Sequence, residues 1–281
     1  MAGVSMKDIK LRIRSMQSTK QITKAMEMVA TSKLRGAQNR MNKSRAYGEI
    51  LKSTMQDIAS AGGMKNSTYL AEKPIEKACY IVIAGDRGLA GGYNNNVFKD
   101  LVAHMGDAPA KILPMGKKAV EFCRSKGLET LSTAYNVAAD LSPSHCYTIA
   151  NALSKGFLEG EYDAVYLCYT EFVSMMVQEP RTIQLLPVPK MEAVQKGKGL
   201  TIYEPSPEAV LASIIPEYLG GVVYSNLCQS IASELGARRT AMDAATKNAE
   251  EMIDSFSLQY NRARQGAITQ EITEIVAGSN A

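Results

Sequence analysis

Tryptophan is absent from the 281 residues, phenylalanine occurs five times and histidine only twice. Any core must therefore be largely aliphatic. A centre built on histidine would have only His104 and His145 to draw on, and neither lies beside a cluster of cysteines or carboxylates. That pattern argues against Ser-His-Asp chemistry and against zinc. The five cysteines, Cys79, Cys123, Cys146, Cys168 and Cys228, are odd in number, widely spaced and contain no CxxC pair. They form neither a disulfide framework nor a metal knuckle, and they fit a reducing compartment. No stretch approaches eighteen consecutive apolar residues, the length that would cross a membrane. The opening MAGVSMKDIK lacks the apolar core of a signal peptide. Proline is missing from the whole of residues 3–58.

What is present is unevenly distributed. Residues 1–45 carry eleven Lys and Arg against Asp8 and Glu27, a balance of +9. Residues 207–281 carry five against nine Asp and Glu, a balance of −4. The asymmetry points to an acidic partner for the N-terminal segment, with nucleic acid the generic candidate. Fifteen methionines, many at helical spacing, suit irregular apolar gaps and a shifting partner surface.

In the proline-free segment Met6, Ile9, Ile13, Met16, Thr23, Met26, Ala30, Leu34, Ala37 and Met41 recur mostly at steps of three and four. This is one face of a helix. Lys7, Lys10, Arg14, Lys24, Lys33, Arg40 and Lys43 fill other positions. The segment predicts a single helix, on the order of 80 Å long at about 1.5 Å per residue. A second helix is signalled by Ser206 as N-cap and Pro207 at the first helical position. Its pattern runs through Leu211, Ile215, Tyr218, Val222, Ser225, Gln229, Ala232 and Leu235. It continues through Met242, Ala245, Ala249, Met252, Phe256, Tyr260, Ala263 and Ala267 to about Val276. Pro216 is expected to kink it.

Helices of this length must bury a stripe against something, and the simplest partner for each is the other. The ends are therefore expected to pair antiparallel, residue 58 near 207 and residue 3 near 260. The plainer alternative is an ordinary helical hairpin packed on a globular domain. The seam is rich in Ala, Ser, Thr and Met, which implies that other proteins help to surround it. Beyond the pairing, Ile268, Ile272, Ile275 and Val276 fall on one side of an unpaired end. Such a stripe predicts an external apolar socket; a frayed tail would not require the isoleucines.

Between the ends the pattern changes. Residues 78–84, 110–115 and 163–172 read as buried strands, residues 94–105, 116–126 and 143–159 as helices, and residues 173–188 as extended and mixed. Alternation of this kind predicts a largely parallel sheet covered on both faces. The fold class is α/β, a long antiparallel coiled coil of the terminal helices plus a central doubly wound, Rossmann-like domain. The expected division is 1–60, 75–195 and 206–281, with linkers at 60–76 and 190–201. Gly85 to Asn94 (GDRGLAGGYN) follows the first strand and opens a helix, the place where such folds hold phosphates. Its order matches neither the dinucleotide fingerprint nor a Walker loop. A tight strand-to-helix turn explains it more simply than a nucleotide site.

Three blocks closely resemble the ATP synthase gamma family: Ile22 to Lys33 (ITKAMEMVATSK), Gly85 to Asn94, and Tyr260 to Val276 (YNRARQGAITQEITEIV). They lie at the start, middle and end, so the likeness spans the chain. Ala90 stands where the family often has Cys, and Gly266 where Ala is more usual. The resemblance implies a non-catalytic rotor shaft without cofactor or metal, one copy per complex. It implies partnership with a ring of three alpha and three beta subunits, with epsilon and with the membrane c ring. Met26 and Lys24 would lie at the coupling contact with beta, Arg264 and Gln265 at a catch contact, and Ile268, Ile272, Ile275 and Val276 in the socket at the top of the ring. Tyr203 and Glu204 would face the c ring or epsilon. The implied location is peripheral, on the cytoplasmic face of a bacterial inner membrane. The regulatory insertion and cysteine pair of the photosynthetic members are missing, so thiol gating of that type is not expected. Two other classes remain open from the residues: a coiled-coil scaffold with an α/β module, and a nucleotide-dependent enzyme using the loop at Gly85.

Overall fold

The structure, a computed structural model, describes residues 5–60, 68–70, 74–106, 108–189, 204 and 206–279. Helix α1 runs Met6–Ser60 and helix α5 runs Pro207–Ser279. Between them lie strand β1 (Ala78–Ile83), helix α2 (Tyr93–Met105), strand β2 (Ala110–Met115) and helix α3 (Lys117–Lys126). Helix α4 (Pro143–Leu158), strand β3 (Ala164–Phe172) and strand β4 (Gln178–Leu186) complete the order. The helical assignment of α5 continues through Pro216. Its start is capped as the sequence suggests, with the Ser206 hydroxyl accepting from the Ala209 amide at 3.2 Å.

The four strands form one sheet in the order β2-β1-β3-β4. β1 pairs parallel with β2 and with β3, while β4 is antiparallel to β3 at the edge. The extended, mixed segment after residue 172 is thus a hairpin return. Its pattern is blurred because an edge strand is partly wetted, and Pro180, which cannot donate to a ladder, sits within it. The sheet is covered on both sides. On one face Tyr80, Val82, Ile112 and Cys168 pack with Val97 and Leu101 of α2 and Ala119 and Cys123 of α3. On the other, Ile81, Ile83, Leu113 and Leu167 pack with Ile149 and Leu153 of α4, Met55 and Ile58 of α1, and Leu211, Ile215 and Leu219 of α5.

Contacts divide the chain into two compact units, Met1–Thr31 with Arg238–Ala281, and Ser32–Ala237. The second contains the sheet together with the adjoining parts of α1 and α5. There Leu34, Ala37 and Met41 pack with Cys228, Ala232 and Leu235. Space for a side chain at Gly221 is closed by Leu51 at 2.5 Å. The first unit is a pair of antiparallel helical segments. Arg12 lies 5.9 Å over the Phe256 ring, Lys20 contacts Glu250 at 2.7 Å and Thr23 meets Thr246 at 2.8 Å.

This register corrects the extrapolated one by about a turn, since pairing 58 with 207 would have set Arg12 near residue 252 instead of Phe256. The first turns of α5 are spent on the sheet, where Leu211 and Ile215 are fully buried.

Candidate functional site

The seam of the paired segments follows the spacing of small residues. Ile9, Thr23 and Ala30 of α1 are buried, as are Met242, Thr246 and Ala249 of α5. Others, such as Ile13, Met16, Ala245 and Phe256, are half-buried, and two expected seam positions, Met6 and Met252, are exposed, with Ile253 half-buried where Met252 was expected to turn inward. A helix of 3.6 residues per turn drifts against a fixed stripe, so a pattern extended over many turns loses phase.

Met26 is half-buried on α1. Lys24 is exposed and engaged by Glu27 on its own helix at 2.8 Å. The hydrogen bond to Glu27 raises its pKa above the ordinary lysine value. Arg264 and Gln265 are exposed on α5. Ile268, Ile272, Ile275 and Val276 follow them on the same helix, between 46% and 71% exposed. Glu204 is exposed; Tyr203 lies outside the described residues.

A second group escaped sequence reading. Leu11, Ile22, Met28 and Val29 of α1 are each more than half exposed. At about 100° per residue, Leu11, Ile22 and Val29 fall within roughly 20° of one another on the helix. They form an outer apolar stripe turned away from Thr23 and the seam. Their spacing of eleven and seven residues was the available signal, masked by the denser seam pattern.

The loop at Gly85 is occupied by its own fold. The Gly85 amide donates to Asn94 Oδ1 at 2.8 Å. The Asp86 carboxylate accepts from the amides of Ala138 at 2.8 Å, Ala139 at 3.2 Å and Lys117 at 3.4 Å. Ala90 and Tyr93 are buried. The turn therefore binds together β1, α3 and the segment before α4, and its acidic side chain points at backbone donors that a phosphate would otherwise need. His145 is spent on a helix cap, accepting from the Ser142 amide at 3.1 Å. His104 meets the Tyr80 hydroxyl at 3.1 Å. Among the described residues no group of three His, Cys, Asp or Glu side chains is placed to hold a metal ion, and no helix is long and apolar enough to cross a membrane.

The candidate residues thus lie along long helices, most of them exposed, and among the described residues no group of metal-ligating side chains gathers around a centre. Comparison with known proteins agrees in extent and kind. A family model described as ATP synthase matches residues 5–281. The chain is 46% identical to the ATP synthase gamma chain of Ruminococcus albus, with 98% of each chain covered. It is 39% identical to the ATP synthase gamma chain, sodium ion specific, of Acetobacterium woodii, with 99% of this chain and 98% of the relative covered. Among solved structures, a chain of the Euglena gracilis mitochondrial ATP synthase in rotational state 3 has the same fold at 16% identity. Its TM-score is 0.70 over 98% of this chain and 94% of that one. A chain from the central stalk and c ring of the Tetrahymena thermophila enzyme gives 0.58 at 23% identity, covering 80% and 99%.

Proposed function

This chain belongs to the ATP synthase gamma-chain family, and from that premise we propose how its own residues couple rotation to nucleotide chemistry. It is the central stalk of the F1 part of a rotary ATP synthase. In this reading residues 1–60 and 206–281 make the shaft and residues 75–195 the foot. The shaft turns inside three alpha and three beta subunits, which carry the chemistry. The chain itself is non-catalytic and needs no cofactor. The foot, with Glu204 and Tyr203 near it, meets epsilon and the c ring at the cytoplasmic face of a bacterial membrane.

The observation that carries the reading is the exposure of the apolar side chains Ile268, Ile272, Ile275 and Val276, at the end of a helix whose earlier turns are paired. Apolar contacts lack directional bonds, so a socket around this face resists displacement but not turning. Below it Met26, the outer stripe of Leu11, Ile22 and Val29, and the cations of α1 give a surface that differs around the axis. Complementary acidic segments on beta would read that asymmetry, with charge setting orientation more than affinity.

Reconstitution with alpha and beta subunits tests this, using a probe on the foot. Cys123 is buried, so the probe belongs at Lys126→Cys, which is exposed. Stepwise ATP-dependent rotation is expected. A chain that forms no complex with alpha and beta, or that binds nucleotide by itself, would overturn the reading.

A further inference from the structure

We propose that Ser230 and Ser233 of α5 form a rotational key that locks the helix to the foot sheet, so that torque passes between sheet and shaft through them. The proposal rests on the shaft reading above.

The key follows from how the sheet ends. Pairing of β3 with β1 stops at Cys168 opposite Val82, yet β3 continues to Phe172. Beyond that point β3 has a strand neighbour on the β4 side only. Thr170 lies opposite Pro180 in the antiparallel ladder. Proline has no N–H to give, and a strand residue directs its N–H and C=O to the same side. The main-chain groups of Thr170 therefore point away from β4, into the place that β1 has left.

Helix α5 fills that place. The Thr170 amide donates to Ser230 Oγ at 3.0 Å, and the Ser233 hydroxyl donates to the Thr170 carbonyl at 3.3 Å. Both serines are fully buried. They are three residues apart, hence on one helix face. Two side chains of a helix thus do for Thr170 what a neighbouring strand would have done.

The surroundings reinforce the grip. The buried Tyr93 brings its hydroxyl beside Ser230 and Thr170. A side chain at Gly85 would come within 2.7 Å of Glu234 Oε1, so the loop backbone lies directly against the next residue of α5. Phe172 is 3.5 Å from where a side chain at Gly236 would begin. An apolar helix face can roll over its neighbours at little cost. A reciprocal pair of bonds to one residue's main chain cannot, because advancing the helix by one residue turns it by about 100° and takes both hydroxyls away.

The test uses the assembled complex of this chain with alpha, beta, epsilon and the c ring. With the motor stalled, thermal angular fluctuation of a probe at Lys126→Cys reports the stiffness between foot and ring. In Ser230→Ala/Ser233→Ala the variance is expected to rise about twofold, since part of the directional grip is lost. Thr246→Val, which removes a buried hydroxyl from the paired helices instead, is expected to leave it unchanged. Equal variance in the double variant and the wild type would overturn the key. So would an equal rise in Thr246→Val, since that marks general loosening.

Should the double variant not assemble, Ser233→Ala alone supplies the angular test. Hydrogen exchange of the Thr170 amide in Ser230→Ala supplies a second, with exchange about tenfold faster expected and no change counting against the proposal. A wild-type complex that does not rotate would sink the shaft reading, and the key with it. A rotating wild type with unaltered variants sinks the key alone.

Discussion

The hydroxyl oxygens of Thr23 and Thr246 lie 2.8 Å apart inside the seam of α1 and α5. Each hydroxyl also reaches a carbonyl of its own helix, Thr246 that of Met242 at 2.8 Å and Thr23 that of Lys20 at 3.1 Å, so either can donate across the seam while the other donates along its helix. This is a buried polar bond between the two helices, and together with the Lys20–Glu250 ion pair at their surface it marks one register. Thr246→Val keeps the shape and removes the partner. The cost in unfolding free energy is expected at about 1 kcal/mol, whereas Thr23→Val/Thr246→Val should recover most of it, because no buried hydroxyl is left over. Urea denaturation of the four chains closes the cycle. Additive losses would mean that the two hydroxyls do not interact.

Two glycines of α5 should respond to alanine in opposite directions. At Gly220 an added Cβ would run into the ring of Tyr147 on α4, whose hydroxyl is held by Tyr47 of α1 at 2.8 Å. Gly220→Ala is expected to lower stability by about 1–3 kcal/mol through overpacking. Nothing lies within 4 Å of a Cβ at Gly266. Gly266→Ala should favour the local helix by about 0.5–1 kcal/mol. Because that end is exposed, the gain should appear as higher helicity by circular dichroism with little change in the global midpoint.

How far the sequence leads depends on which interaction sets each position. Ile9, Thr23, Ala30, Leu34, Ala37 and Met41 were legible as a seam because one helix face repeats locally. Strand β1 was legible because six consecutive residues are buried on both sides. The register was not legible. It depends on Leu211 and Ile215 first joining Met55 and Ile58 at the sheet, a choice made in three dimensions. Ser230 and Ser233 were hidden for a related reason. Small residues at three-residue spacing look like any close-packed seam until Thr170 and Pro180 show what they satisfy. The isoleucines near the C terminus were legible because the extrapolated pairing ended before them.

All five thiols are buried and free. Burial raises Cys79, Cys146 and Cys168 to about 12 and Cys123 to about 11, from an ordinary 9.0, and also raises Cys228. The folded chain therefore holds these protons at a pH where the unfolded chain has lost them. Their contribution to stability is present below 9.0 and declines as pH climbs through the folded values of about 11 to 12. The melting temperature should fall across that window, and Cys146→Ala should lessen the fall. At neutral pH iodoacetamide should leave the folded chain unlabelled and modify all five cysteines in denaturant. Labelling of the native chain at the rate of a free thiol would contradict the packing.

Met26 is half-buried, one residue before Glu27, which holds Lys24. In Met26→Lys the aliphatic stem can keep the packing while the ammonium turns to solvent, so the isolated chain is expected to fold normally. In the assembled motor the new cation would alter the charge presented to beta. ATP hydrolysis should persist while ions pumped per ATP decrease, measured in vesicles as the gradient formed at matched hydrolysis rates. An unchanged ratio would remove Met26 from the coupling contact.

The face formed by Ile268, Ile272, Ile275 and Val276 separates stability from assembly. Because these side chains are exposed in the isolated chain, Ile272→Asp/Ile275→Asp should change its unfolding free energy by no more than about 0.5 kcal/mol per site. If the face enters a socket, burial of each isoleucine is worth about 1.5–3 kcal/mol. The affinity for the alpha-beta ring should then fall by at least about tenfold per site. Truncation after Arg264 removes the face altogether while sparing the pairing at Arg12 and Phe256. It should leave a folded shaft that binds the ring weakly and loses coupled turnover under load. Titration of labelled chain into the ring, with ion pumping measured on the same preparations, distinguishes the outcomes. If the truncated chain assembled and pumped like the full one, the apolar end would be no bearing, and the shaft would have to be centred by contacts such as those of Met26 and Arg264.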